Sequence, residues 1–264
     1  MRRGRWTSLA DAAALVVDGA TIAPGGFMLG RAPMALVFEL LRQGRRGLRV
    51  ASLPNPLPAE MLVAAGAASR VDFAFTAITL DGRVRSMPCL KRAIEEGSIA
   101  WAEHDGYRVV QGLRAAAMGL PFLPVPDFDA SALALRDPLP QVEDPFTGHK
   151  VHVERAVHPD VALIHARAGD EDGNLWIEDP TTDLLIAGAA RVVVATVEER
   201  VARVPRATIP GFMVDAVTEA RGGAHPTGCL GLYPADEAHL ERYLALAEAG
   251  RESEYLDEHL RRAA

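Results

Sequence analysis

The residues of this chain that could do chemistry lie in three short stretches. Glu103, in Trp101-Ala102-Glu103-His104-Asp105-Gly106, stands where a strand should end and a helix begin, the edge at which open α/β sheets place ligands. A carboxylate there could act as base or nucleophile, or simply face water, with His104 and Asp105 beside it to orient a substrate. Gly25-Gly26-Phe27, directly after a strand, removes two side chains at a turn, so its N–H groups could hold an oxyanion; a plain tight turn is the alternative. Gly222-Gly223-Ala224-His225-Pro226 makes a second glycine turn after the apolar segment Val214-Asp215-Ala216-Val217, and His225 could reach substrate or a partner from it.

Other chemistries find less support. Gly25-Gly26-Phe27-Met28-Leu29-Gly30 has the spacing GGxxxG, which is not the dinucleotide fingerprint, and there is no GxxxxGK[ST] phosphate loop, HExxH or GxSxG. His149 and His152 are three apart on an extended segment, hence on opposite faces. His165 lies inside an apolar strand, where a hydrogen-bonded core histidine is expected, and His158 adds no ligand spacing, so no metal site is expected. Cys89 and Cys229 form no CxxC pair and suit a reducing cytoplasm.

Composition sets the frame for these residues. With 264 residues, 49% hydrophobic and 24% charged, the chain suits one large α/β domain over 1–264 with a substantial core. A net charge of -7 argues against a dedicated nucleic-acid or anionic-membrane surface, and no apolar run reaches membrane-span length. The basic N-terminus, Met1 to Trp6, precedes an apolar stretch broken by Asp11, which reads as a helix with no clear cleavage site.

The elements that must position the chemistry alternate strand and helix. Leu9 to Val17 reads as a helix and Thr21-Ile22-Ala23 as a strand into the glycine turn; a helix from Pro33 to Gly44 follows, with Leu36, Leu40 and Leu41 on one face. Strands are expected at Leu48–Ser52, Val71–Phe75 and Ser98–Trp101, and helices at Ala59–Ala65, Pro88–Glu96 and Tyr107–Met118. Val125 to Gly148 reads as a long surface excursion without periodicity. Strands at Val151–Val153, Val161–His165 and Arg191–Thr196 follow, the last two apolar enough to be covered on both faces, with a helix at Asp183–Ala190 between them. Glu237 to Arg262 reads as two helices broken at Ala249-Gly250.

Several of these segments, in this order, resemble the A-type chain of glutaconate coenzyme A-transferase and other class I coenzyme A-transferases. They are Asp18-Gly19-Ala20-Thr21-Ile22-Ala23-Pro24-Gly25-Gly26-Phe27 with Pro33, Ala115 to Pro124, Asp144-Pro145-Phe146, Pro159 to Ala166, and Ile209-Pro210-Gly211 through Val214-Asp215-Ala216-Val217 to Gly223-Ala224-His225-Pro226. Pro24 replaces the family's aliphatic residue before the glycine pair, and Gly30 stands one position earlier than the signature's third glycine. The family's Ser-Glu-Asn-Gly stretch, with the glutamate that attacks the thioester, is absent from the chain. In two-chain members it belongs to the B-type chain.

The resemblance implies an open, mostly parallel sheet flanked by helices, the CoA-transferase (NagB/RpiA-like) fold, and an α2β2 assembly with a B-type CoA-transferase subunit. It implies a cytoplasmic enzyme that moves CoA between an acyl-CoA thioester and a small carboxylic acid, with no permanently bound cofactor. Gly25, Gly26 and Phe27 would hold the oxyanion, and the partner most of the CoA phosphates. The chain also resembles the A-type chain of a steroid ring-opening hydrolase acting on a CoA thioester, whose implicated glutamate aligns with Glu103; Glu103 would then be a general base. A non-catalytic binding protein on the same scaffold is the third alternative.

Overall fold

Strands β1 (Arg5–Trp6), β2 (Thr21–Pro24), β3 (Leu48–Ser52) and β4 (Ala68–Phe73) alternate with helices α1 (Leu9–Ala14), α2 (Met34–Arg42) and α3 (Pro56–Ala64). A hairpin, β5 (Ala77–Leu80) and β6 (Arg83–Ser86), leads to α4 (Pro88–Glu95), β7 (Ala100–Glu103), α5 (Gly106–Ala117) and β8 (Phe122–Val125). Then come α6 (Ala132–Arg136), β9 (Gln141–Glu143), β10 (Lys150–Arg155), β11 (Val161–Asp170), β12 (Leu175–Trp176), α7 (Asp183–Ala189), β13 (Val192–Val201), β14 (Ala216–Glu219), α8 (Glu237–Glu248) and α9 (Glu252–Arg261). The computed structural model describes residues 5–126 and 132–261. The basic Met1 to Gly4, residues 127–131 of the expected excursion, and Arg262 lie outside the described residues.

The main sheet runs β1-β14-β13-β11-β2-β3-β4-β7, every neighbouring pair parallel, with β12 antiparallel on β11. The expected open, mostly parallel sheet flanked by helices is therefore the observed architecture. β11 and β13 pair over Val161↔Val192 to Asp170↔Val201 at its middle, which is why both are near-continuous apolar runs. Val161, Leu163 and Val194 face a core built with α1 to α4, α8 and α9; Ala162, Ile164, Val193 and Ala195 face a second core with α5 and α7.

Coverage is unequal beyond the centre. On β3 and β4, Leu48, Val50, Val71 and Phe73 enter the first core, while Arg49, Arg70 and Asp72 alternate with them on the other face. That polar alternation marks a face which α5 and the end of β10 only partly cover.

Several boundaries differ from the sequence reading. The strand expected at Ser98–Trp101 is Ala100–Glu103, so Glu103 is the last strand residue. The excursion expected to lack regular structure contains α6 and β9, because β9 adds to the small sheet β8-β10-β9. The β5-β6 hairpin turns at Asp81-Gly82, an Asp-Gly pair with positive φ at both residues.

Candidate functional site

The first glycine turn leaves the carboxyl end of β2 and is held from all sides. Gly25 N–H donates to Leu163 O at 2.8 Å, Gly26 N–H to Asp183 Oδ1 at 2.9 Å, Phe27 N–H to Gly30 O at 2.9 Å and Met28 N–H to Pro54 O. Gly26 has φ +85°, and a Cβ there would stand 2.5 Å from Gly30 O and 2.6 Å from Arg31 O, so only glycine fits. The oxyanion role expected of Gly25, Gly26 and Phe27 needs free donors, and here all three amides are already engaged.

Gly26 N–H is engaged by one member of a buried ion pair that the sequence reading did not single out. Arg31, 1% exposed, donates Nη1 and Nη2 to the two oxygens of fully buried Asp183 at 3.0 and 3.1 Å, and Nε to Asp179 Oδ1 at 2.6 Å. Burial opposes the guanidinium's charge, but the two carboxylates more than offset it and hold its pKa above the ordinary value. Asp183 stands at the start of α7 and also accepts from Thr181 N–H, so one carboxylate joins α7, Arg31 and the glycine turn.

The second glycine turn packs on the first: Gly228 N–H donates to Leu29 O, Arg31 N–H to Gly228 O, and Ala35 N–H to Gly223 O. Beneath it His165, fully buried, shares hydrogen bonds with Thr196 Oγ1 and Glu198 Oε1, both at 2.8 Å; this is the hydrogen-bonded core histidine expected. Glu198 also accepts from Tyr233 OH and from Gly222 N–H at 2.7 Å. Burial alone would raise the Glu198 pKa, but these hydrogen bonds outweigh it and hold the carboxyl below its ordinary value. His225 itself turns toward α8, 3.2 Å from Asp236 Oδ2 and edge-on to His239.

Glu103 occupies a different setting. It ends edge strand β7, 44% exposed, with Arg136 Nη1 3.7 Å from its carboxylate and Arg136 Nη2 donating to its carbonyl at 3.0 Å. Trp101, on the same face, stacks on Phe73 and carries the Arg136 guanidinium over its ring. His104 points to the other face, 3.8 Å from Asp72. The strand order sets Glu103 and the Gly25 turn on one carboxyl edge but three strand spacings apart, about 14 Å.

Among the described residues two trios place ligand atoms within 4.8 Å of one another: His165, Glu198 and Cys229, and His225, Asp236 and His239. The first suits a metal poorly, because burial and the Glu198 charge push the Cys229 thiol up to about 12 and Glu198 is already saturated. In the second, burial and the neighbouring histidines push His239 down to about 4, which leaves a neutral ring with a carboxylate beside it. His149, His152 and His158 join neither trio.

A family model described as coenzyme A transferase matches residues 6–220, and the chain belongs to that family. The chain is 34% identical to the A-type chain of glutaconate CoA-transferase from Acidaminococcus fermentans over 89% of its own length and 81% of that protein's; the crystal structure of that enzyme superposes with a TM-score of 0.87, covering 97% of this chain and 88% of that one. It is equally, 34%, identical to the cholesterol ring-cleaving hydrolase IpdA subunit of Mycobacterium tuberculosis, over 91% of this chain and 87% of that one. A crystal structure of a variant of the decarboxylase AibA/AibB matches at 66% identity and TM-score 0.96, over 99% of this chain and 100% of that chain. The chain spans 53% of the length of an uncharacterized relative from Archaeoglobus fulgidus, with 33% identity. The resemblance to A-type chains read from the ordered segments is borne out, and with it membership of an enzyme family of CoA-transferases.

Proposed function

We propose that this chain, working as one domain over residues 1–264, is the A-type chain of a two-chain enzyme that removes CO2 from a CoA thioester of a dicarboxylic acid. The observation that carries this reading is the 66% identity, end to end, with a chain of the decarboxylase AibA/AibB, about twice the identity to any transferase relative named above. The family supplies the CoA thioester, and the relative named for glutaconate, a dicarboxylic acid, supplies the second carboxylate. The assembly is α2β2, in the cytoplasm, with the active site between unlike chains and no permanently bound cofactor.

Loss of CO2 breaks a carbon–carbon bond and leaves its electron pair on the carbon side, where a thioester carbonyl in conjugation accepts it as an enolate. The enolate oxygen then needs hydrogen-bond donors and its carbon a proton. In this reading Glu103 carries that proton, which its exposure at a strand end supports. Gly25, Gly26 and Phe27 shape the wall of the site at the carboxyl edge of β2, and His225 lies at its rim; with their amides engaged, the oxyanion donors come from the partner chain.

CoA transfer is the second reading, favoured by the match to the coenzyme A transferase family over residues 6–220. There the partner's glutamate attacks the thioester and carries CoA as a glutamyl thioester. Hydrolysis with Glu103 as base, the activity in the IpdA relative's name, would instead consume water. One assay separates the three. The complex with its B-type partner is given the CoA thioester of an unsaturated dicarboxylic acid, with and without acetate. Release of one CO2 per acyl-CoA without acetate is expected. Formation of acetyl-CoA, or of free CoA, with no CO2 would overturn decarboxylation.

A further inference from the structure

On the face of β7 opposite Glu103, a cavity of about 690 Å3 opens between the sheet and the layer of α5 and the β10 end. Its lining is basic although the chain carries a net charge of -7. Arg49, Arg70, Arg108 and Arg155 face it against two carboxylates, Asp72 and Glu154. Those two are spent internally: Asp72 takes a bidentate contact from Arg70 at 2.7 to 3.0 Å, and Glu154 accepts from Arg108 Nε at 2.7 Å. From outside, Asp137 adds a second carboxylate to Arg108, and Asp160 turns to Thr21 N–H and Arg191. Among the described residues Arg49 and Arg155 have no ion-pair partner. His158 and His104 also line the cavity.

Arg49 and Arg155, solvent-exposed and without an ion-pair partner among the described residues, both line this cavity, and forked guanidinium groups suit a phosphate-bearing ligand, since each fork can meet two oxygens. The volume far exceeds a single phosphate and falls in the range of small-molecule sites. Val109 and Val157, with Ala51, Ala100 and Ala156, give an apolar wall for a flat ring. The sequence carries the same mark: strands covered on both faces are continuously apolar at the sheet's centre, yet β3 and β4 hold Arg49, Arg70 and Asp72 on this face.

We propose that this cavity binds a nucleoside phosphate, with Arg49 and Arg155 on the phosphates and the valine and alanine wall against the base. The site does not depend on which reaction the complex catalyses. Its ligand comes from one of two sources, the adenosine 3′,5′-bisphosphate end of CoA or a free nucleotide.

The test is calorimetric titration of the full 264-residue chain with adenosine 3′,5′-bisphosphate, ADP and inorganic phosphate. Saturable binding of a nucleotide, tighter than inorganic phosphate, is expected, weakened at least about tenfold in the Arg49→Gln/Arg155→Gln double variant. Arg251→Gln, remote from the cavity, should bind as the parent chain does. A preference for the 3′,5′-bisphosphate, with competition by CoA, assigns the site to the CoA end; equal binding of ADP assigns it to a free nucleotide. Circular dichroism and unfolding midpoints of the double variant establish that it is folded. Absence of saturable nucleotide binding, or equal affinity in the folded double variant, would overturn the proposal.

Discussion

Two regions of one sheet edge treat their polar groups in opposite ways. At the carboxyl end of β2, every amide of the glycine turn is bonded to the protein, and a buried arginine is gripped by two carboxylates. Three strands away, at the end of β7, the Glu103 side chain is 44% exposed and its carboxylate meets Arg136 Nη1 at 3.7 Å. The glycine turn at Gly25 to Phe27 is therefore held as a fixed frame, whereas the carboxylate we propose as the proton carrier stands exposed at the thinly covered rim. Fully bonded polar groups rigidify a fold; a proton carrier has to keep its lone pairs available.

The comparison is open to attack, beginning with the frame. Arg31→Ala leaves Asp183 fully buried without its bidentate cation and should destabilise the chain by about 3–5 kcal/mol in urea unfolding. A loss under about 1 kcal/mol would mean the frame is no tighter than an ordinary surface pair. Gly26→Ala forces a side chain into a left-handed conformation beside two carbonyls, and about 1–3 kcal/mol of lost stability is expected in the same measurement.

Glu198 sharpens the comparison through pH. Its folded pKa is lowered, so its contribution is fully present above the ordinary carboxylate pKa and is lost as pH falls through the lowered folded value. Stability of the parent chain should decline on acidification below about pH 4.5, and Glu198→Gln, about 1–2 kcal/mol less stable at neutral pH, should show a shallower acid limb. An unchanged limb would show that the buried His165–Glu198–Tyr233 network carries no such linkage. The smallest effect belongs to the rim, where Arg136→Gln should change stability by no more than about 1 kcal/mol, because its ion pair is exposed and long.

The fold was largely legible. Apolar runs at Val161 and Val192 became the paired central strands, and the break at Ala249-Gly250 separates α8 from α9. Local signals suffice where a strand is covered on both faces or a glycine ends a helix. The candidate site was legible only in part. The positions of Glu103 and the glycine turns followed from strand ends, but the partner of the turn did not, because Arg31 and Asp183 are 152 residues apart and meet only through the β2-β11 pairing. Arg31 stands just past the glycine motif with φ +55°, and nothing local announces what it grips. The basic cavity left a readable mark, the charged alternation in β3 and β4, but its depth depends on how far α5 covers that face.

The most direct test of the account is Glu103→Gln in the complex with its partner chain, read as the rate of CO2 release alongside the unfolding midpoint. A proton carrier at an exposed strand end predicts a rate at least about 100-fold lower with stability within about 1 kcal/mol of the parent. A rate within about twofold of the parent, in a complex that assembles normally, would contradict it and return Glu103 to the role of a solvated edge residue.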